Sequence, residues 1–280
     1  MKTRTYTAIA GALTIVGLAL ASSPALARQA NQSGITQVAQ ADKVYGNEVV
    51  TSDNQKVGKL NNLVIDLESG RILYGVIGAS KGRVAVPPGI FTSTLPSSDK
   101  NLHVNVDKAK IDGAPQFSSQ IDKPEGFNQA SFVDQVYKYF GQSPWWQGST
   151  SANQGSFNNV HKASEVISMK VENASNQPLG KIYNVMVDLP PGRLVYLLLS
   201  PDSSLNLGNN IYVLPPQAFT LSQDRKYLVS GIDKDKLAGA PHFDKSHWPN
   251  LSDANFASQV YQYFGKEPYF QGGNAQPTGR

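Results

Sequence analysis

The sequence predicts a mainly β protein with added helices, built as two tandem small antiparallel β-barrels that are each followed by a short amphipathic C-terminal helix. Three observations lead to this prediction. The 17-residue stretch 58–74 recurs at 180–196, at an offset of 122 residues. Apolar and polar residues alternate within it, as in a half-buried strand. Each copy also ends in a run of apolar residues with helical spacing, which indicates that one fold was duplicated.

The repeated stretch predicts a β-hairpin. Seven of its residues return in the second copy: Gly58, Lys59, Asn62, Asp66, Gly70, Arg71 and Tyr74 are matched by Gly180, Lys181, Asn184, Asp188, Gly192, Arg193 and Tyr196. Glycine at the end of the turn supplies the positive φ that a tight connection needs. We interpret Asp66 and Asp188 as carboxylates that accept backbone N–H groups of their own turns.

The remainder of each copy supports the same interpretation. Residues 42–74 align without a gap to residues 164–196, and each copy closes with an amphipathic helix. The apolar residues of these helices share one face; they are Phe132, Val133, Val136, Tyr137 and Phe140, and then Phe256, Ala257, Val260, Tyr261 and Phe264. Because burying each large side chain is worth about 1.5 to 3 kcal/mol, this face must cover either its own barrel or the sister copy.

The domain boundaries follow from the repeat and from composition. In chain order we predict a signal peptide at 1–27, a flexible lead-in at 28–41, the first barrel with its helix at 42–146, a linker at 147–163, the second barrel with its helix at 164–270, and a disordered tail at 271–280. The lead-in, linker and tail have little to bury, which favours flexible chain over a packed element.

The N-terminus has the pattern of a secretory signal. Lys2 and Arg4 precede the apolar run 8–21, and the small residues Ala25 and Ala27 form a cleavage site before Arg28. The apolar run is short for a bilayer span of about 20 residues. We therefore predict a periplasmic or secreted protein, cleaved near Ala27 and Arg28, that is not an integral membrane protein.

Composition narrows the possible partners. The chain has no cysteine, so each copy of about 100 residues must be stabilised by its own core without disulfides. Of the 25 basic residues, two leave with the signal peptide, which leaves 23 against 21 acidic residues and a formal net charge of +2. This near balance gives no support for a nucleic-acid-binding surface.

The order of the motifs resembles a known family. Each copy has a short first strand, a Gly-Lys start to the second strand, an Asp before a Gly-Arg hairpin, and a later strand that runs into Pro87-Pro88 or Pro215-Pro216. This order is similar to the PRC-barrel, named for the H subunit of the photosynthetic reaction centre, over about 42–106 and 164–229. The resemblance implies a mostly antiparallel barrel that binds protein partners and is not itself a catalyst. Export and tandem copies set this chain apart from the reaction-centre subunit and the ribosome-maturation factors.

The sequence offers little for catalysis. No serine lies in a Gly-x-Ser-x-Gly elbow, and no phosphate-binding glycine loop is present. His242, Asp244 and His247 are the one hint of a metal or enzyme site, and their spacing fits no standard zinc pattern. We therefore predict no catalytic residue, no metal site and no cofactor.

Partner contacts are expected where the copies differ, in the loops 79–83 and 201–210, and at the aromatic ends. Six residues are candidate contacts for a ligand or partner: Trp145, Trp146, Arg71, Arg193, Tyr269 and Phe270. Exposed Trp and Tyr side chains are frequent interface hot spots. The alternatives are that the aromatic pairs plug the ends of the barrels, and that each arginine pairs with a carboxylate or solvates its turn.

These observations predict an exported, non-enzymatic scaffold or adaptor that binds an unknown protein partner in the bacterial cell envelope, with no nucleic-acid partner. The two copies are expected to pack as an internal pseudo-twofold pair, because the duplicated helices offer matching apolar faces. The alternative is a ligand-binding module for an envelope glycan, a lipid headgroup or a small molecule, held in a groove between the copies.

Overall fold

The computed structural model describes residues 34–116, 130–144, 157 and 159–268. The described residues form a mainly β fold with a few helices, in which all the strands belong to one curled fourteen-stranded sheet. The strands are β1 (Ala39–Gln40), β2 (Glu48–Val50), β3 (Lys56–Asp66), β4 (Arg71–Ala79), β5 (Gly82–Val86), β6 (Leu102–His103), β7 (Val160–Lys162), β8 (Lys170–Asn173), β9 (Pro178–Asp188), β10 (Arg193–Pro201), β11 (Asn210–Leu214), β12 (Phe219–Leu221), β13 (Leu228–Ser230) and β14 (His242–Asp244). The helices are α1 (Ala41–Val44), α2 (Lys108–Asp112), α3 (Ala130–Tyr139), α4 (Ala163–Val166), α5 (Lys234–Ala238) and α6 (Ala254–Tyr263).

The repeated stretch forms the predicted hairpin in both copies. Strands β3 and β4 pair antiparallel in the first copy, and β9 and β10 do so in the second. Gly70 and Gly192 end the two turns with φ values of +67° and +66°. The predicted need for glycine at this position is therefore confirmed, since side chains disfavour this left-handed conformation.

The two hairpins join back to back at the middle of the sheet. Arg71 of β4 lies opposite Arg193 of β10. The Ile72 N–H donates to the Gly192 carbonyl and the Leu194 N–H donates to the Gly70 carbonyl, both at 2.9 Å. The two hydrogen bonds are equivalent, because Ile72 corresponds to Leu194 and Gly70 corresponds to Gly192 at the 122-residue offset. The junction therefore has twofold-like symmetry.

A short strand that precedes each copy pairs with the other copy. In the N-terminal segment, which we define as residues 34–40, β1 pairs with β9 and places Ala39 opposite Val187. Strand β7 pairs with β3 and places His161 opposite Ile65, again at an offset of 122. Composition assigned these residues to the flexible lead-in and the linker. Runs of two or three residues are too short to show an alternating pattern, so their pairing is set by tertiary structure.

The buried apolar residues of both copies belong to one core. Leu63 and Ile65 of β3 share a hydrophobic cluster with Val185 and Val187 of β9. The helices pack on their own copies, with Phe132 of α3 edge-to-face against Tyr74 at 5.7 Å and Phe256 of α6 against Tyr196 at 6.2 Å. Matching helix faces predict a paired arrangement, but the backbone pairing between the copies described above runs through strands. Among the described residues, no helix is long and apolar enough to cross a bilayer.

Candidate functional site

The carboxylate of the first hairpin binds its own turn. Asp66 is buried, and its Oδ2 accepts the Ser69 N–H at 3.0 Å and the Ser69 hydroxyl at 2.5 Å. This confirms the predicted turn contact for the first copy. Its other oxygen, Oδ1, is buried and accepts no hydrogen bond from the described residues. Burial raises the pKa of Asp66, and the nearby charge of Glu68 adds to that effect.

The carboxylate of the second hairpin binds a different part of the chain. Asp188 is fully buried and accepts the Thr36 N–H at 2.7 Å, the Thr36 hydroxyl at 2.5 Å and the Gln37 N–H at 3.3 Å. The predicted contact with its own turn is wrong for Asp188. Pro190 and Pro191 stand where the first copy has Glu68 and Ser69, and proline has no N–H to donate.

Two further side chains complete the cluster around Asp188. The Arg193 guanidinium donates to the Gly34 carbonyl, and its Nη1 lies 3.9 Å from Asp188 Oδ2. The Thr94 hydroxyl donates to Asp188 Oδ1 at 3.3 Å and accepts the Leu189 N–H at 2.9 Å. The cluster thus fastens the N-terminal segment and a loop of the first copy to the turn of the second copy. Its polar groups are used inside the molecule, which indicates a structural role.

The structure describes the two arginines among the predicted contact residues but not the four aromatic residues. Arg193 is 7% exposed and its resolved contacts are internal, while Arg71 is half-buried and lies opposite it across the junction. A partner contact by either arginine stays a prediction. The aromatic candidates lie outside the described residues: Trp145, Trp146, Tyr269 and Phe270.

The histidines of the second copy make separate local contacts. The His242 Nδ1 lies 2.8 Å from the Ala240 carbonyl, and its ring packs against Tyr212 at 5.0 Å. The exposed His247 has its Nδ1 3.8 Å from Asp244 Oδ1. Within the described ranges, no group of three or more His, Asp or Glu side chains is placed to hold a metal ion.

Three large aromatic side chains of the second copy are exposed, Tyr183, Trp248 and Tyr263, and the first two lie close together. Tyr183 of β9 is 37% exposed and Trp248, after β14, is 39% exposed, with their ring centroids 6.3 Å apart. Trp248 is held in place by buried Phe243 at 4.8 Å and by its indole N–H, which donates to the Lys245 carbonyl at 3.0 Å. The Lys245 ammonium lies 5.3 Å from the Tyr183 ring centre. Fixed, exposed rings with a cation beside them are typical of interaction surfaces.

A β-bulge presents Tyr183 at this surface. The register of β9 against β10 shifts between Ile182 and Asn184, which leaves Tyr183 as the extra residue. The first copy has the same irregularity between Leu60 and Asn62, where the extra residue is Asn61. A bulge re-aims one side chain without breaking the strand pairing. The same backbone feature therefore presents an amide in one copy and an aromatic ring in the other.

A pair of lysines lies next to Tyr183. Lys170 of β8 is directly opposite Lys181 of β9, and both are exposed. At the same register the first copy places Glu48 opposite Lys59. Neither Lys170 nor Lys181 forms an ion pair in the described structure. We define the aromatic-lysine surface as Lys170, Lys181, Tyr183, Lys245 and Trp248.

Sequence reasoning did not select this surface. A signal was present in the repeat alignment, because half-buried Glu48 and exposed Asn61 of the first copy change to Lys170 and Tyr183 in the second. Trp248 gave no such signal. Its neighbours come from β9 and β14, which are brought together only by the folded sheet.

Comparison with known protein families gives a match in both copies. A family model described as the PRC-barrel domain matches residues 37–111 and 158–236, which together make up more than half of the chain. Both matched segments include the short strand that pairs with the other copy. No curated protein matches the sequence.

Proposed function

The chain belongs to the PRC-barrel family, and from this premise we propose that it is an exported, non-enzymatic scaffold that binds a protein partner in the bacterial cell envelope. The proposed architecture is a pair of tandem barrels, each with its C-terminal helix, packed about an internal pseudo-twofold axis. The junction between Arg71 and Arg193 and the reciprocal pairing of β1 and β7 support this arrangement, because all three contacts follow the 122-residue offset.

The aromatic-lysine surface is the observation that carries the proposal of partner binding. The repeated polar residues Asp188 and Arg193 are occupied by internal contacts and hold the copies together. By contrast, Tyr183 and Trp248 are exposed, and Trp248 packs against buried Phe243. Aromatic side chains in preorganised positions supply much of the affinity of protein interfaces. In this proposal the first copy stabilises the second copy, and the second copy carries the binding surface.

Site-specific photo-crosslinking in the cell envelope tests the proposal. A photoreactive aromatic amino acid placed at Tyr183 should crosslink to a discrete protein, and the crosslink should disappear in the Trp248→Ala background. The matched control places the same amino acid at Asn61, the equivalent bulge position of the first copy, where no crosslink is expected. A lack of crosslinks at Tyr183, or equal crosslinking at both positions, contradicts the proposal.

Export is tested separately. The proposed signal peptide is supported by Lys2 and Arg4, the apolar run that follows, and the small residues before Arg28. Cell fractionation followed by N-terminal sequencing should find the protein outside the cytoplasm with Arg28, or a residue close to it, at its N-terminus. A cytoplasmic protein that retains Lys2 argues against export.

A further inference from the structure

The outward face of β8 and β9 carries an unfavourable charge arrangement. Like charges directly opposite each other destabilise an antiparallel pair, whereas opposite charges stabilise it by roughly 0.2–1 kcal/mol. The first copy has the favourable pair, Glu48 with Lys59, but the second has Lys170 with Lys181. An anionic group between the two ammonium groups would remove their repulsion. This face therefore favours a negatively charged occupant.

Two acidic residues close to these lysines in the chain or in the fold, Asp202 and Glu172, do not fill that position. Asp202 accepts the Ser204 N–H at 3.0 Å and the Ser204 hydroxyl at 2.7 Å. The charge of Lys181 contributes to lowering the pKa of Asp202, after these hydrogen bonds, but the two do not form an ion pair. Glu172 lies two residues from Lys170 along β8 and forms no ion pair within the described residues. The lysines remain available to an external anion.

The rings beside the lysines favour a peptide over a sugar. A bound sugar needs partners for its hydroxyl groups, since a buried polar group without a hydrogen bond costs about 1–3 kcal/mol. The Trp248 indole N–H already donates to the Lys245 carbonyl. The Asp244 carboxylate already accepts the Ser246 N–H at 2.7 Å. Besides the Tyr183 hydroxyl and Asp244 Oδ2, this surface offers ring faces and ammonium groups, which suit apolar and acidic side chains.

We infer that the aromatic-lysine surface binds an extended acidic segment of the protein partner. Carboxylates of the segment lie between Lys170 and Lys181, and an apolar side chain packs against Tyr183 and Trp248. The inference rests on the proposed function, because it specifies the chemistry of the partner at the same surface. Trp248 already packs against Phe243 and donates its indole N–H to the Lys245 carbonyl, so this ring loses little conformational entropy when the segment binds.

Calorimetric titration of the mature full chain with a synthetic peptide of alternating Glu and Phe tests this inference. Binding should weaken about tenfold or more in Lys170→Glu, which recreates the charge pair of the first copy, and it should weaken with added salt. Trp248→Ala should also weaken binding. The matched control is Lys59→Glu in the first copy, which should bind the peptide with unchanged affinity. Thermal unfolding checks each variant, and the exposed Lys170→Glu change is expected to keep the fold.

A lack of binding by the acidic peptide would overturn the inference, and so would three further results. They are unchanged affinity in Lys170→Glu, equal binding of a peptide in which Gln replaces Glu, and tighter binding of polygalacturonate than of the acidic peptide, which would assign the surface to a glycan. Photo-crosslinking at Tyr183 keeps the two proposals distinguishable. If the crosslink forms but the acidic peptide does not bind, the scaffold function stands and the partner has a different chemistry.

Discussion

At the scale of single residues, Asp66 and Asp188 show that one sequence position can have two roles. Both follow the same strand and precede the same Gly-Arg pair. Asp66 holds its own turn through Ser69, whereas Asp188 holds residues 151 and 152 positions away in the chain. Several donors bind the buried Asp188 carboxylate, whereas one oxygen of Asp66 accepts no hydrogen bond from the described residues. Removing the charge should therefore affect the two sites differently.

We predict that Asp188→Asn destabilises the protein by about 2–4 kcal/mol, because it leaves the Arg193 guanidinium and the Thr36 donors without their carboxylate. The matched variant Asp66→Asn should cost less than about 1 kcal/mol, since burial already raises the pKa of that group and disfavours its charge. Urea unfolding at neutral pH gives both free energies of unfolding. Equal losses in the two variants would refute the assigned difference.

His161 of β7 is a buried histidine that the core keeps neutral. It is 5% exposed, and its Nε2 has no hydrogen-bond partner among the described residues. Burial is the main cause that lowers the pKa of His161 to about 4, the charge of Arg225 adds to it, and Glu165 opposes it. Protonation of this side chain therefore favours the unfolded chain.

The stability of the protein should fall as pH decreases from about 6.5 to about 4. In this range the unfolded chain binds a proton at position 161 that the folded protein does not, so the loss reaches about 3 kcal/mol at most. His161→Gln should flatten this part of the pH profile of unfolding free energy. His247→Gln, which removes an exposed histidine, is the control and should keep the slope that His161 causes. An identical slope in the wild type and His161→Gln would contradict the prediction.

At the scale of elements, the turn sequence decides which segment the hairpin holds. The first turn offers the N–H and hydroxyl of Ser69 to its own aspartate. The second turn has Pro191 at that position, so Asp188 is left to bind Thr36 and Gln37 of the N-terminal segment. Two prolines thus determine where a short edge strand is attached.

We predict that Pro191→Ser loosens the N-terminal segment, because the new N–H and hydroxyl compete for Asp188. Hydrogen exchange at the Thr36 amide should become about tenfold faster, while amides in the middle of β9 keep their protection. Ser69→Pro is the reciprocal variant in the first copy, and its turn backbone can accept proline as the second copy does. It should leave exchange at Thr36 unchanged. Unaltered exchange at Thr36 in Pro191→Ser would show that the turn sequence does not control the attachment.

At the scale of the whole molecule, the two copies form a single hydrogen-bonded and hydrophobic unit. Backbone pairs join β4 to β10, β1 to β9 and β7 to β3. The buried apolar residues of both copies also form one cluster. The loop residues Thr94 and Leu95 of the first copy add polar contacts to the N-terminal segment through Gln37. Strand β9 of the second copy and strand β3 of the first copy each pair with a short strand that precedes the other copy.

The copies should consequently stay together when the chain between them is cut. A protease site introduced within 147–156 should give two fragments that elute as one species of full size in gel filtration and separate only in denaturant. X-ray scattering of the uncut protein should fit one compact particle. Two independently eluting fragments, or scattering from two separate beads, would contradict the paired arrangement. An uncleaved sample treated with the same protease is the control.

The sequence by itself determined the repeat and the two hairpins, because these depend on local patterns. Alternating apolar residues in β3 and β9 and the glycines at 70 and 192 are readable without knowledge of any distant contact. The 122-residue offset also showed where the copies diverge. Family membership rests on the same local motifs, so it was accessible from the sequence as well.

Only the tertiary structure decided what the repeated residues contact. The role of Asp188 depends on partners far away in the chain, and the pairing of β1 and β7 depends on edges that exist only in the folded sheet. The aromatic-lysine surface is assembled in the same way, since Tyr183 and Trp248 come from separate elements. Local patterns specify strands and turns, but long-range packing selects among partners of similar local propensity, and that selection places the proposed site on the second copy.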